Sequence, residues 1–412
     1  MVAGIDLAAD NYAGLADKVR GMSESFSFFK RREFGRMALT GAASAAWSQA
    51  ADRSSQAVAP QGFVDVRQFG AVADGKADDT AALQRAIDAA GKKSGGVFLP
   101  PGVYLARELK LRAGVALVGV PGWNYSSPGG SVLRLASADA SCLLNLTDAR
   151  GATVDGLALD GRSLGQNVHG MFTNRTEFGK HEDAFRIERC QVTRFSGDGL
   201  NLSKAWCFSV RHCMLAFNGG DGLNLRGWDG FILDNWFSGN KRAGFGARFE
   251  NASLTFTSNR VEWNHEENMV VVGGDGYQIT GNFFDRAGTC GLALRKGSRP
   301  CKQFTITGNF FKRSGKFANP GSHDSAQILL EQAHGVTCTG NNFECGRDDG
   351  GTGVWSPSYG IVYTGLVDCV VTNNAMNEGA LRTLLLDAGG TADGAIVRDN
   401  PGRVFRLDQP RN

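Results

Sequence analysis

Proline is scarce in this 412-residue chain, at 10 residues, which permits strand ladders that proline would interrupt. Long hydrophobic runs are missing too: nothing approaches the roughly 18 apolar residues of a membrane-spanning helix, so no span is expected. There is little excess charge of either sign. The 44 Lys and Arg against 41 Asp and Glu leave a formal net charge of +3, which argues against a nucleic-acid partner. The nine cysteines match no zinc spacing. Cys142, Cys190, Cys213, Cys338 and Cys369 fall in or beside expected strands, where a thiol behaves as a small apolar residue, so mostly reduced and buried cysteines are expected, with room for one bridge. Glycine, at 56 residues, is abundant and suits tight turns between short strands.

What the chain does have is a repeat. Phe-Arg-Ile-Glu-Arg-Cys190, Ser-Val-Arg-His-Cys213, Phe-Ile-Leu-Asp-Asn235, Thr-Phe-Thr-Ser-Asn259, Gln-Ile-Thr-Gly-Asn282, Thr-Ile-Thr-Gly-Asn309 and Val-Thr-Cys-Thr-Gly-Asn341 fall into register, and Asn374 and Asn400 continue them. The steps are 23, 22, 24, 23, 27, 32, 33 and 26 residues. A period of this size in short alternating strands indicates a parallel β-helix, one coil per repeat. Coils stack about 4.8 Å apart, so a repeated Asn becomes a column of amides, each able to bond the backbone and the next Asn. Cys190 and Cys213 take the same column in the first two coils. A solenoid grows without thickening its core, so a single domain over residues 63–408 is expected.

Ahead of it, Lys30-Arg31-Arg32-Glu33-Phe34-Gly35-Arg36, a mild apolar run from Met37 to Trp47 and Ser48-Gln49-Ala50 resemble a bacterial twin-arginine export signal over residues 1–50. A polar linker, 51–62, follows. Export to the periplasm or beyond is the expectation.

Phe63-Val64-Asp65-Val66 reads as a strand. From Asp78-Asp79-Thr80 a helix is expected, capped by one of these three residues and closed by Gly91, with Leu83, Ala86, Ile87 and Ala90 as its apolar stripe. It suits the open end of a β-helix, whose first coil exposes core and strand edges. The stretch Phe69–Ile87, with its Phe-Gly-Ala, Asp-Gly and Asp-Asp-Thr, followed by Gly96-Val97-Phe98-Leu99-Pro100-Pro101-Gly102, resembles the opening of the pectate-lyase superfamily. With the Asn repeats the resemblance covers 63 to about 405 and implies an all-β, right-handed parallel β-helix with an N-terminal capping helix. That superfamily hosts lyases, hydrolases including polygalacturonase relatives, epimerases, fructan-converting enzymes and phage tail proteins, so it fixes no reaction. The polygalacturonase motifs Asn-Thr-Asp, Gly-His-Gly and Arg-Ile-Lys are absent, and so is the aspartate-rich calcium pattern of classical pectate lyases. No cofactor is indicated, and calcium has no specific motif.

Three excursions, 162–182, 312–325 and 344–358, precede what reads as the same strand and are expected to wall one groove. In that strand the outward column runs Ser203, Arg226, Arg248, Val272, Arg295, Glu331, Thr364 and Asp387. Arg295 and Glu331 should pair across neighbouring rungs; Arg226 and Arg248 have no acid in their column, which suits an anionic ligand. Asn201 and Asn224 lie on the same strands. At their start, Gly197-Asp198-Gly199 and Gly220-Asp221-Gly222 stack two aspartates, with Glu267 two rungs further and His265 and Glu266 beside it. Carboxyls about 5 to 5.5 Å apart suit retaining hydrolysis and about 6.5 to 9.5 Å suit inversion, while arginines with a base such as His265 suit a lyase. An Asp in Asp-Gly also commonly holds a turn. Trp355 and Tyr359, in a loop with Asp348 and Asp349, are candidates to stack on sugar rings. The expected partner is a polysaccharide or oligosaccharide. The expected activity is cleavage or rearrangement of it by a lyase or glycoside hydrolase, with an epimerase and a catalytically silent, tail-spike-like binding protein as the alternatives.

Overall fold

The computed structural model describes residues 59–346, 356–392 and 394–406. The export signal expected over 1–50, and Asp348, Asp349 and Trp355, lie outside the described residues.

The chain folds as a right-handed parallel β-helix whose coils each cross three faces. The coil containing Asp198 shows the plan: Gln191–Thr193 lies on the third face, a turn follows, and then one long strand, Leu200–Arg211, supplies the first and second faces. Because Leu200–Arg211 and the next coil's Leu223–Leu233 run unbroken around the bend, those two faces form, among the described residues, one 22-stranded sheet, while the third is a separate 13-stranded sheet. All strand pairs between coils are parallel, as in Leu200↔Leu223, Leu223↔Phe245 and Phe245↔Met269. Inward residues of the three faces, among them Leu200, Val210, Leu215, Leu225, Ile232 and Phe237, make one continuous core.

The Asn column falls at the corner between the second and third faces. Asn282 is buried; its N–H donates to Asn309 Oδ1 at 2.9 Å, and its amide donates to Phe256 O at 2.9 Å and Asn309 Oδ1 at 3.0 Å. Asn235, Asn259, Asn309, Asn341 and Asn374 repeat the pattern. At the top of the column a thiol replaces the amide: Cys190 N–H donates to Cys213 Sγ at 3.4 Å, and Cys213 N–H to Asn235 Oδ1 at 2.9 Å. All nine cysteines are free thiols, and all but Cys207 are buried. A second ladder, unread in the sequence, occupies the corner between the third and first faces, where Asn218 donates to Asn240 and Asn240 to Asn264.

Each corner turns on a left-handed residue. Asp234, Ser258, Gly281, Gly308 and Gly340 precede their ladder Asn with φ from 57° to 66°, which is why Gly-Asn recurs in the sequence. At the corner between the first and second faces the left-handed column runs Gly151, Ala184, Cys207, Asp229, Ser253, Gly276, Gln303, Gly335 and Asp368.

The N-terminal end is built as expected, with differences. Phe63–Asp65 pairs with Gly96–Phe98, and the helix Thr80–Gly91 buries Ala82, Leu83, Ala86, Ile87 and Ala90 against the core. Asp79 is its N-cap residue, yet its carboxylate accepts from Val72 N at 2.7 Å and Ala73 N at 3.1 Å, tying down the Phe-Gly-Ala turn, while Asp78 Oδ1 accepts from Thr80 N at 3.0 Å. Gly91 is the last helical residue rather than a left-handed cap.

The excursions do not form one wall. Within 162–182, His169–Thr173 is itself a strand of the first face, and only the chain after it, 174–182, stands off, leaving from that strand's far end; Asp183 and Phe185 are already buried in the coil. There Phe178 stacks on Trp228 with centroids 3.6 Å apart, and Lys204 Nζ lies 4.7 Å from the Phe178 ring. The excursion 312–325 does precede its strand, Ala326–Glu331, so it rises at the opposite edge of the face, whereas most of 344–358 lies outside the described residues.

Candidate active site on the first face

Two outward columns carry the site. The first, at the start of the face, is Cys142, His169, Asp198, Asp221, Ala243, Glu267 and Cys290 by strand register, which places the two aspartates on adjacent rungs and Glu267 two rungs on. The second, three residues later, is Asn145, Phe172, Asn201, Asn224, Gly246, Val270, Ala293, Leu329 and Val362. It is polar in the early coils. In the later ones Val270, Ala293, Leu329 and Val362 are buried in a separate apolar cluster with Ala243, Cys290 and Ala326. The open, polar stretch of the face therefore ends near Arg248.

Both aspartates are buried and fully engaged. Asp198 Oδ1 accepts the Asp221 N–H at 2.7 Å, and its Oδ2 accepts the amides of Asn201 at 2.8 Å and Asn224 at 3.2 Å. Asp221 Oδ1 accepts the Ala243 N–H at 2.9 Å, and its Oδ2 meets Arg248 Nη1 at 2.5 Å. One oxygen of each thus ties its coil to the next, the turn-holding role of Asp-Gly, and the other aims a side chain on the face. Burial raises the proton affinity of Asp221; the Arg248 charge opposes this and the Asp198 charge adds to it.

Arg248 is not an unpaired cation, and neither is Arg226, because their partners lie outside the column. Arg248 binds Asp221 and approaches Glu266 at 3.5 Å, while Arg226 Nε donates to Glu250 Oε2 at 2.9 Å. Arg242, unread in the sequence, joins the first group, 3.6 Å from Glu266 and 4.0 Å from Asp221. Arg295 pairs with Glu331 at 3.4 Å, and also with Glu267 at 2.8 Å and Asp324 at 2.6 Å. Burial works to lower its proton affinity, but the bonds to Asp324 and Glu267 prevail and raise it. Glu267 is therefore committed to Arg295, and its neighbour Glu266, 45% exposed, faces the arginines near the aspartates. In the last coil the register shifts by one: Asp387 stands opposite Tyr363, not Thr364. Tyr359 begins a strand rather than sitting in a loop, and its hydroxyl donates to Gly321 O at 3.2 Å.

The histidine beside the aspartates is His169, not His265. His265 is exposed, with its ring 5.5 Å from Phe317 and Nε2 3.5 Å from Lys241 Nζ. No contact links it to either aspartate among the described residues. His169 is buried one rung before Asp198, its Nδ1 accepting the Asp198 N–H at 3.0 Å, and it stacks on Phe172. An accepting Nδ1 assigns the proton to Nε2. Burial lowers its proton affinity against the pull of the Asp198 carboxylate, which keeps the ring neutral. The sequence carried one clue, the register of His169 with Asp198, hidden by the unequal length of that coil. Among the described residues no cluster of three or more His, Cys, Asp or Glu is arranged to hold a metal ion, and no helix is long and apolar enough to cross a membrane.

Comparison with known proteins agrees with this architecture. Residues 63–141 match the family model described as rhamnogalacturonase A/epimerase, pectate lyase-like, and residues 177–311 match the right handed beta helix region. The chain thus carries pectate-lyase-like and right-handed β-helix domains. The mannuronan C5-epimerase AlgE3 of Azotobacter vinelandii is 28% identical over 257 residues, 57% of this chain and 12% of that protein. Alginate lyase 7 of the same organism is 35% identical over 111 residues, 22% of this chain and 12% of that protein. The chain therefore spans only a small part of the curated relatives it matches. The AlgE4 A-module, a mannuronan C-5 epimerase structure from A. vinelandii, superposes with a TM-score of 0.53 at 18% identity, covering 84% of this chain and 100% of that one. At that identity the likeness is one of fold.

Proposed function

We propose that this chain is a polysaccharide-modifying enzyme that acts on a uronate-containing glycan by moving the proton next to the sugar carboxylate, giving elimination or epimerisation rather than hydrolysis. The observation that carries this reading is the state of the carboxyls. Asp198 and Asp221 are buried and tied to backbone N–H groups of the next coil, so neither is free to face a glycosidic oxygen or a water. The exposed carboxylate is Glu266, held by Arg242 and Arg248 at 3.6 and 3.5 Å, distances longer than good charge-assisted hydrogen bonds. A substrate carboxylate can take Glu266's place on the two guanidiniums. Their charge then makes the adjacent carbon acidic, and the displaced Glu266 is the accessible base for its proton. The enolate left behind either expels the glycosidic oxygen on the next carbon, which leaves as the alcohol after taking a proton from water, or regains a proton from water on its opposite face. Asn201 and Asn224, held side by side by Asp198, offer amides to sugar hydroxyls, and neutral His169 offers Nε2–H as a fixed donor. The names of the relatives, mannuronan epimerase and alginate lyase, support the same substrate class.

A second reading, hydrolysis by the Asp198 and Asp221 pair, draws support from the raised proton affinity of Asp221. One experiment separates the two. The protein is incubated with polymannuronate and polygalacturonate in heavy water, and deuterium at the carbon bearing the carboxylate, ultraviolet absorbance of unsaturated ends and new reducing ends are followed together. Deuterium uptake, unsaturated ends or both are expected, since epimerisation returns a solvent hydron to that carbon whereas elimination leaves it in a double bond without one. New reducing ends without either signal would replace this reading with the hydrolytic one.

A further inference from the structure

Away from the first face, three arginines from successive coils gather around a single carboxylate at the end of the third face. Asp160, which ends the strand Leu157–Asp160, is fully buried and pairs in register with Arg134 of the preceding coil. Arg194 follows Thr193, the residue paired with Asp160 in the next coil. Asp160 accepts four hydrogen bonds: Arg134 Nε at 3.0 Å, Arg194 Nε at 3.0 Å and Nη2 at 2.7 Å, and the Arg162 N–H at 3.0 Å. That fills the acceptor capacity of a carboxylate. Among the described residues the Nη groups of Arg134 have no partner, and neither does any part of the exposed Arg162 side chain. Among the described residues, three guanidiniums and one carboxylate leave two positive charges without a counter-charge, and the hollow of about 370 Å³ that they border is lined by Arg134, Asp160, Arg162, Ser163 and Arg194. A buried aspartate needs one such partner to remain charged, and Arg194 alone satisfies it bidentately. The other two arginines are surplus to that structural requirement.

We propose that this hollow binds an oxyanion, a carboxylate, sulfate or phosphate group, either free or carried on an anionic glycan. Arg194 is fixed by Asp160 and frames the hollow, while Arg134 Nη and the whole Arg162 guanidinium supply planar forks of donors suited to such a group. This inference does not rest on the activity proposed above. None of these arginines belongs to the first-face cluster, so the site can fail while that reading stands, and the reverse.

The test is thermal melting of the whole chain titrated with sodium sulfate, against sodium chloride at matched ionic strength. The wild type should show a rise in Tm above the chloride control that grows with the logarithm of sulfate once the site fills. Arg162→Ala removes a side chain that supports nothing else, so it should fold and keep the activity proposed for the first face, while the sulfate concentration at which the rise sets in increases at least about tenfold. Arg134→Gln, which leaves the Arg194 and Asp160 pair intact, should do the same. A rise that is absent in the wild type, or equal in wild type and both variants as general salting would give, overturns the proposal. A trigalacturonate arm, read as the difference between the wild type and Arg162→Ala so that binding at the first face cancels, identifies the source. A difference that sets in well below the sulfate concentration assigns the group to a glycan, and no advantage over sulfate assigns a free anion.

Discussion

Arg248 reaches Asp221 by lying back across its own strand, over Gly246, with Nη1 2.5 Å from Oδ2. The path is open because position 246 has no side chain: a Cβ there would meet Arg248 Nη1 and come within 2.6 Å of Asp221 Oδ2. Gly246→Ala should therefore dislodge the guanidinium and destabilise the protein by about 1 to 3 kcal/mol, and Arg248→Ala, which strands a buried charge, by about 3 to 5 kcal/mol. Because both break one interaction, the double variant should lose much less than the sum in urea unfolding. Strict additivity would mean that Gly246 serves some other purpose.

Glu266 offers a sharper test of the proposed chemistry. Glu266→Gln removes the charge that competes with a substrate carboxylate for Arg242 and Arg248, so KM for an acidic glycan should fall, by up to about fivefold for a pair this exposed. It also removes the base, so kcat should fall by about 10² to 10⁴. A raised KM with kcat intact would show that Glu266 belongs to substrate binding and not to proton transfer.

His169 should leave a mark on the pH dependence of stability. Its native proton affinity lies below the ordinary value, so as pH falls the unfolded chain takes up the proton first. Stability is complete above the ordinary histidine value of about 6.5 and is lost as pH drops through it toward the native value. His265 shifts in the same direction, through burial and then Lys241 and Lys316, so the comparison must be between variants. His169→Asn can keep an acceptor for the Asp198 N–H, and its melting temperature should decline less than that of the wild type between about pH 7 and pH 5. Parallel declines would place the titration elsewhere.

The ladders predict where stability resides. Asn282→Ala leaves buried partners unbonded and should cost about 1 to 3 kcal/mol, and Asn240→Ala in the second ladder a similar amount. The exposed Lys302 is the control. Lys302→Ala should change little. Equal losses in all three would contradict the bonding drawn for Asn282.

The sequence disclosed most of what repeats and little of what crosses between repeats. The Asn column was legible because its members recur at the coil period and often follow glycine, and Cys190 and Cys213 could be placed in it by register alone. Asn218, Asn240 and Asn264 keep the same period, but they follow Phe217, Gly239 and Trp263, left-handed residues that share no residue type to mark the turn. The alignment of Asp198, Asp221 and Glu267 was correct because strand pairing transmits register exactly along the face. What their side chains do was not legible. Arg248 bends back over Gly246, Arg226 turns to Glu250 at the corner, and Arg242 enters from the turn, and such reach depends on side-chain length and open space that a column of letters does not encode. The side from which each excursion leaves was misjudged for the same coil that concealed His169, because a strand lay inside what looked like a loop.

The left-handed corner between the first and second faces gives the molecule a property of another kind. Ala184, Cys207, Asp229 and Ser253 hold φ from 47° to 55° at equivalent points of successive coils, so the chain turns through the same conformation whatever its side chains. A segment from one such residue to the next is a transferable unit: excising or duplicating it rejoins like geometry to like, and the strands on either side keep their partners. Each duplication would lengthen the first face by one strand spacing, about 4.8 Å. The length of that face could thus be engineered in whole steps, by editing coil number rather than residues.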